Sequence, residues 1–328
     1  MKKILYLYKS GTLKRKDNSV VLENEKIVDY IPIEQIDMII CFSEITLNKR
    51  TLSLLNQYQI GIIFFNYYGN YIGRFSPKEY KDGRILVNQV SMYQDNIQRV
   101  YIAKSITLAS IKNMISLAKY YRKKGKNLDN QIESLNHFVE EMKIVDSIEK
   151  LLIIEAQSKQ IYYSIFDYIL ENEKFHFEKR TKNPPENEVN AMLSYGYSIV
   201  YGIILSVLDR SSLFPQISFI HSLSKNSDSL QFDIADIFKP VLVDRLVLRL
   251  IRKKQMNASM FDYNNGRCYL NKLGVKLFCT EFDLVLKSTI DYNGKKFSYK
   301  SIISKEIHKL SEYIKGNSDK LSFYTMKW

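Results

Sequence analysis

The sequence predicts an α+β protein. A small N-terminal β-rich domain spans residues 1–75, a linker spans 76–87, and a larger all-α domain spans 88–328. Three observations carry this. Short apolar runs rich in Ile, Val and Phe, punctuated by turn residues, fill the first 75 positions. Residues 76–84 are polar and hold Pro77 and Gly83, the composition of a linker. From Asn88 onward, apolar residues recur at helical spacing. A chain of 328 residues with 45% apolar content is long enough for two cores and is globular.

Residues 4–8 read as a short apolar strand. Segments 13–16 and 20–22 flank Asp17-Asn18-Ser19, a tight-turn sequence, and so form a hairpin. Residues 26–33 alternate and carry Pro32, while 37–41 is an Ile-rich strand of buried type. Residues 47–58 predict a helix with Leu52, Leu54 and Leu55 as its apolar positions. Strands 60–65 and 71–75 follow, joined by a turn over 66–70. In the second domain, 98–121 is a helix ending in the basic loop Arg122-Lys123-Lys124-Gly125-Lys126. Further helices are expected at 128–145, 143–172, 188–207 (after the Pro184-Pro185 turn), 232–254 (interrupted near Pro240) and 301–314.

Lys and Arg outnumber Asp and Glu by 48 to 35, a net charge of +13. That excess favours a polyanionic partner, with nucleic acid ahead of a membrane surface. Cys41, Cys268 and Cys279 have no CxxC spacing and read as reduced packing thiols. The start, Met1-Lys2-Lys3-Ile4-Leu5, lacks the apolar stretch of a signal peptide, and acids are expected to interrupt every long apolar run. A cytoplasmic protein with no membrane span is the expectation. No GxxxxGK[ST] loop is present, which argues against an ATPase.

The helix at 143–172 holds the sharpest clue. Ile144, Ile148, Leu151, Leu152, Tyr162, Phe166 and Ile169 define its buried stripe, and Glu155 falls on that stripe. An ionised carboxylate there must be paired, protonated or metal-bound. His221, Asp233 and Asp236 follow as partners, and one His with three carboxylates suits a hard cation such as Mg²⁺ or Mn²⁺. Asp233 and Asp236, three apart, share a helix face and repel without a cation nearby. Bland readings stand beside this one. Glu155 could be a satisfied core acid, His221 a structural histidine, and the aspartates helix-start electrostatics. Asp228 and Asp244 are not excluded by spacing, and Tyr162 could be simple core. His137, His176 and His308 have no suggestive context.

The motifs in order resemble a known family. Glu155-Ala156-Gln157-Ser158-Lys159-Gln160-Ile161-Tyr162 resembles the glutamate motif of the CRISPR-associated adaptation integrase, the Cas1 family. Phe219-Ile220-His221, then the run from Leu230 to Pro240, is similar to that family's histidine and double-acid motifs. Asn183-Pro184-Pro185 and the run from Asn190 to Tyr197 are similar to its linking segment. The likeness covers nearly the whole chain and leans toward a type I system. It departs at 209–215, where the family usually has a glycine-containing turn, and in the variable loop between His221 and Asp233.

The resemblance implies Glu155, His221 and Asp236 as metal ligands, with Asp233 as a close supporting acid. It implies a homodimer through the N-terminal strands, a complex with the small partner Cas2, and DNA as substrate. The implied reaction is metal-dependent attack of a prespacer 3′-hydroxyl on the CRISPR repeat. Arg245 and Arg249, on one helix face, and Lys225, in the loop after His221, are the DNA-backbone candidates. The alternatives are a stand-alone metal-dependent nuclease on branched or single-stranded DNA, and a non-enzymatic DNA-binding protein.

Overall fold

A computed structural model describes residues 2–327 apart from Lys26, Tyr67, 78–79, Glu173 and 224–227. The chain divides into two compact units, Met1–Tyr80 and Lys81–Trp328.

Among its described residues the first unit holds two four-stranded sheets, one α-helix and a short 3-10 turn at Ile33–Gln35. In one sheet β1 (Lys3–Leu7), β5 (Ile36–Cys41), β7 (Gly61–Phe65) and β8 (Tyr71–Phe75) lie in the order β1-β5-β7-β8. Its first three strands are parallel and β8 is antiparallel. Parallel strands are mostly apolar, and in β5 Ile36, Met38, Ile39, Ile40 and Cys41 are buried while Asp37 is half-buried. The second sheet has the order β4 (Ile27–Pro32), β3 (Ser19–Asn24), β2 (Gly11–Lys16), β6 (Ile45–Leu47). The expected hairpin is β2–β3, turning at Asp17 with φ 52°, a conformation that Asp tolerates. Helix α1 (Lys49–Gln57) starts later than expected. Asn48 caps it by accepting from the Thr51 amide at 3.0 Å, and residues just before pair with β2 as strand β6.

The second unit begins with α2 (Gly83–Gln94), which shortens the linker expected over 76–87. Asp82 fixes its start by accepting from the Arg84 amide at 2.9 Å. Then come α3 (Asn96–Arg122), α4 (Asp129–Glu141), α5 (Ile148–Leu170), α6 (Glu188–Asp209), α7 (Leu230–Phe238), a π-helical turn (Lys239–Asp244) and α8 (Arg245–Arg252). The central helix α3 packs on α4, α5 and α7, and α6 packs on α7.

This unit is mostly helical but not all-α. Hairpin β9 (Phe261–Asn264) and β10 (Arg267–Leu270) precedes α9 (Lys272–Lys287), and hairpin β11 (Thr289–Tyr292) and β12 (Lys295–Ser298) precedes α10 (Tyr299–Ile314). Both turn at Asn-Gly pairs, Asn265-Gly266 and Asn293-Gly294, with every φ positive. That is the two-residue hairpin signal, and it was present in the sequence.

Two further expectations are corrected. The stripe of α5 does not include Ile144 or Leu152, which are 84% and 40% exposed. Ser147 caps the helix at Lys150, so Ile144 lies outside it, and the buried face runs through Ile148, Leu151, Ile154, Ser158, Tyr162 and Phe166. Acids do not interrupt every long apolar run either. Helix α6 is long and apolar enough to cross a membrane by length and composition, yet 83% of its most apolar stretch is buried inside the protein. At Gly196 a Cβ would lie 2.5 Å from Val243 Cγ1, so glycine there lets α6 approach the π-helical turn.

Candidate active site

Helix α5 presents Glu155, Lys159 and Tyr162 along one side, spaced four and three residues apart. Helix α7 and the π-helical turn bring Asp236, Lys239 and Asp244 to face them. The Lys159 ammonium pairs with Glu155 and reaches Asp236 Oδ2 at 3.1 Å. Lys239 pairs with the other oxygen of Asp236 and lies 5.1 and 5.0 Å from the ring centroids of Tyr197 and Tyr201. Burial alone would raise the Asp236 pKa, but Lys159, Lys239 and His221 together hold it well below the carboxylate range. Burial pulls Lys159 down, and Asp236 and Glu155 outweigh it, so the ammonium stays charged.

Asp233 faces elsewhere. It is fully buried and accepts from the amides of Phe219 at 2.7 Å, Ile220 at 3.0 Å and His221 at 3.2 Å. Its Oδ1 also accepts a hydrogen bond from His221 Nδ1 at 2.6 Å. The carboxylate therefore folds the Phe219-Ile220-His221 segment around itself and fixes the imidazole so that Nε2 points away. Burial lowers the His221 pKa, but the hydrogen bond to Asp233 and the charges of Asp233 and Asp236 raise it above its ordinary value.

The backbone that places Asp236 has its own support. In a regular helix the Asp236 carbonyl would accept from residue 240, which is proline and has no amide hydrogen. Ser110 Oγ of α3 donates to it instead at 2.9 Å, and Asn113 Nδ2 donates to the Ile237 carbonyl at 2.8 Å. The chain widens here into the π-helical turn, a distortion often found at functional sites. Asn113 also accepts from the Met326 amide at 2.7 Å and donates to the Tyr324 carbonyl at 3.1 Å. One buried side chain thus joins the C-terminal segment to the end of α7.

Asp244 is buried among phenols, accepting from Tyr162 at 2.8 Å and Tyr197 at 2.6 Å. Burial pushes its carboxyl up to about 6, against those hydrogen bonds and the nearby cations. The folded value lies above the ordinary 3.8, so the folded state takes up a proton between the two. This group's contribution to stability therefore falls as pH rises from about 4 to about 6, and is constant above. Asp244→Asn keeps the shape and one of the two acceptor oxygens, turns the other into an NH₂ that one phenol must accept from, and removes the titration. In urea denaturation it is expected to gain about 1–3 kcal/mol on wild type between pH about 4 and about 6.5. A difference that does not change with pH would refute this.

The sequence candidates separate as follows. Glu155 and Asp236 are bridged by one ammonium, and His221 and Asp233 form a hydrogen-bonded pair whose imidazole senses Asp236. Among the described residues no three His, Cys, Asp or Glu side chains are gathered as a metal cluster. The donor chemistry nonetheless fits a hard divalent ion: two carboxylates, and an imidazole whose Nε2 is presented by its bond to Asp233. Asp228 accepts a hydrogen bond from Gln216 at 2.6 Å.

Arg249 is paired with Glu281 at 2.8 Å, bridging α8 and α9. Arg245 lines a cleft of about 640 Å³ with Tyr292, Tyr324 and Lys309. Lys225 lies outside the described residues. Sequence reasoning missed Lys159 and Lys239. Their spacing, four after Glu155 and three after Asp236, was the available signal, since it sets oppositely charged side chains side by side on a helix.

The sequence matches the family model described as CRISPR associated protein Cas1 over residues 5–283. It is 34% identical over 328 residues to the CRISPR-associated endonuclease Cas1 2 of Thermodesulfovibrio yellowstonii, covering 99% of each. A solved Cas1 protein from Thermotoga maritima aligns with a TM-score of 0.87 and 35% identity, over 99% of this chain and 100% of that one. A casposase bound to integration product aligns with a TM-score of 0.89 at 20% identity, over 99% and 94%, and shares the fold. With full-length relatives at this level of identity, the chain belongs to the Cas1 family of CRISPR-associated proteins.

Proposed function

We propose that the protein is a metal-dependent DNA integrase of CRISPR adaptation, joining prespacer 3′-hydroxyl ends to the repeat array by transesterification. The observation that carries this is the meeting of Glu155 and Asp236 beside an imidazole oriented by Asp233. Glu155, Asp236 and His221 Nε2 would hold Mg²⁺ or Mn²⁺, which when bound polarises the phosphodiester and stabilises charge on the oxygens that exchange.

The protein's own groups do the rest. Asp233 keeps His221 aimed at the site, where the imidazole ligates or moves a proton. Lys239, held over two tyrosine rings, keeps Asp236 ionised. The charge of +13 draws DNA to the surface. A homodimer through the first unit is supported by its exposed Val28, Tyr30 and Ile72. The family resemblance adds the Cas2 partner. Three buried thiols, none in a disulfide, suit the cytoplasm.

The test is strand transfer of a labelled short duplex into a plasmid carrying a repeat array, with Mn²⁺ or Mg²⁺, with and without Cas2. Joining is expected with wild type and is expected to fall to background with Glu155→Ala or without metal. Cleavage without joining, with Cas2 bound, would point to a nuclease. DNA binding indifferent to metal, with no strand breakage or branched-substrate disintegration, would point to a binding protein.

A further inference from the structure

The integrase reading leaves Lys159 without a task. Its ammonium contacts both the Glu155 carboxylate and, at 3.1 Å, Asp236 Oδ2, the two acids that would hold the divalent ion. A monovalent and a divalent cation cannot both take those oxygens, so the two compete. The site's two lysines differ in their freedom. Lys239 is 13% exposed and lies over the Tyr197 and Tyr201 rings, whereas Lys159 is 27% exposed, on a flexible stem beside a Glu155 that is itself 17% exposed. A lysine ammonium is also a point-charge binder of phosphate. A DNA backbone entering this site therefore offers Lys159 an alternative anion.

We propose that Lys159 couples metal loading to phosphodiester binding. Without DNA its ammonium holds the Glu155–Asp236 pair, and a phosphate that draws the ammonium away releases both carboxylates to the divalent ion. The inference rests on the metal-dependent reading of the site. Linkage makes the effect reciprocal: DNA tightens metal binding by the factor by which metal tightens DNA binding.

The experiment titrates the full chain with Mn²⁺, following free Mn²⁺ by electron paramagnetic resonance, with and without a short DNA duplex. Wild type, Lys159→Met, Lys159→Arg and Glu155→Ala are compared. Wild type is expected to bind Mn²⁺ about tenfold tighter when DNA is present. Lys159→Met is expected to show that tighter binding already without DNA, and to lose most of the enhancement, which Lys159→Arg retains. If Lys159→Met melts lower than wild type in EDTA, Lys159→Gln serves for the same comparison. Equal or weaker Mn²⁺ binding by these neutral variants without DNA, or an undiminished DNA enhancement, overturns the coupling while leaving the metal site intact. Mn²⁺ binding that survives in Glu155→Ala overturns the metal assignment and the coupling with it.

Discussion

Asp233→Ala is expected to lower the unfolding free energy by about 3–5 kcal/mol, read as a shift of the urea midpoint at constant slope. The carboxylate is fully buried and takes four hydrogen bonds from one short segment, three from the amides of Phe219, Ile220 and His221 and one from the His221 ring. Alanine leaves those amides buried without acceptors, at roughly 1–3 kcal/mol each before relaxation. Strand transfer is expected to fall as well, because the imidazole loses the group that orients it. A stability loss below about 1 kcal/mol would mean that the segment holds its shape by other contacts.

His221→Ala separates chemistry from folding. The side chain is 38% exposed, so its removal is expected to cost little stability, on the order of 1 kcal/mol or less. Strand transfer is expected to fall at least about 100-fold, the range for loss of a general acid–base group. DNA affinity in EDTA is expected to stay close to wild type. Joining within a few-fold of wild type, from a variant with an unchanged melting curve, would remove His221 from the site. The two substitutions lie on one hydrogen bond yet differ in kind: one removes the support and the other the group supported.

Much of the fold was legible because local signals and tertiary demands agree. The Ile-rich run at β5 reads as a buried strand and is one. The turn at Asp17 and the long helices α3 and α6 were equally plain. Misreadings arose where a cap or a turn outranked periodicity. Ser147 begins α5 after Ile144, and Asn48 begins α1 after a strand. The Asn-Gly hairpins were passed over because their strands are only four residues each, too short for alternation to register.

The chemical residues were visible as types and order, but their division of labour was not. Asp233 and Asp236, three apart on α7, suggest two acids around one ion. In the structure one turns into the His221 segment and the other toward two lysines. Only backbone amides folded back from a separate loop distinguish them, and no spacing along α7 encodes those.

Asn113 has a consequence for the order in which the molecule is made. The ribosome releases Asn113 and Asp236 well before Tyr324 and Met326, the residues that complete the hydrogen bonding of Asn113. A nascent chain that has reached α10 already contains every acid and base of the site, yet its buried Asn113 amide still lacks two of its partners. The hydrogen bonding behind the end of α7, which carries Asp236, is thereby complete only once 321–327 has docked, among the last contacts a growing chain can make.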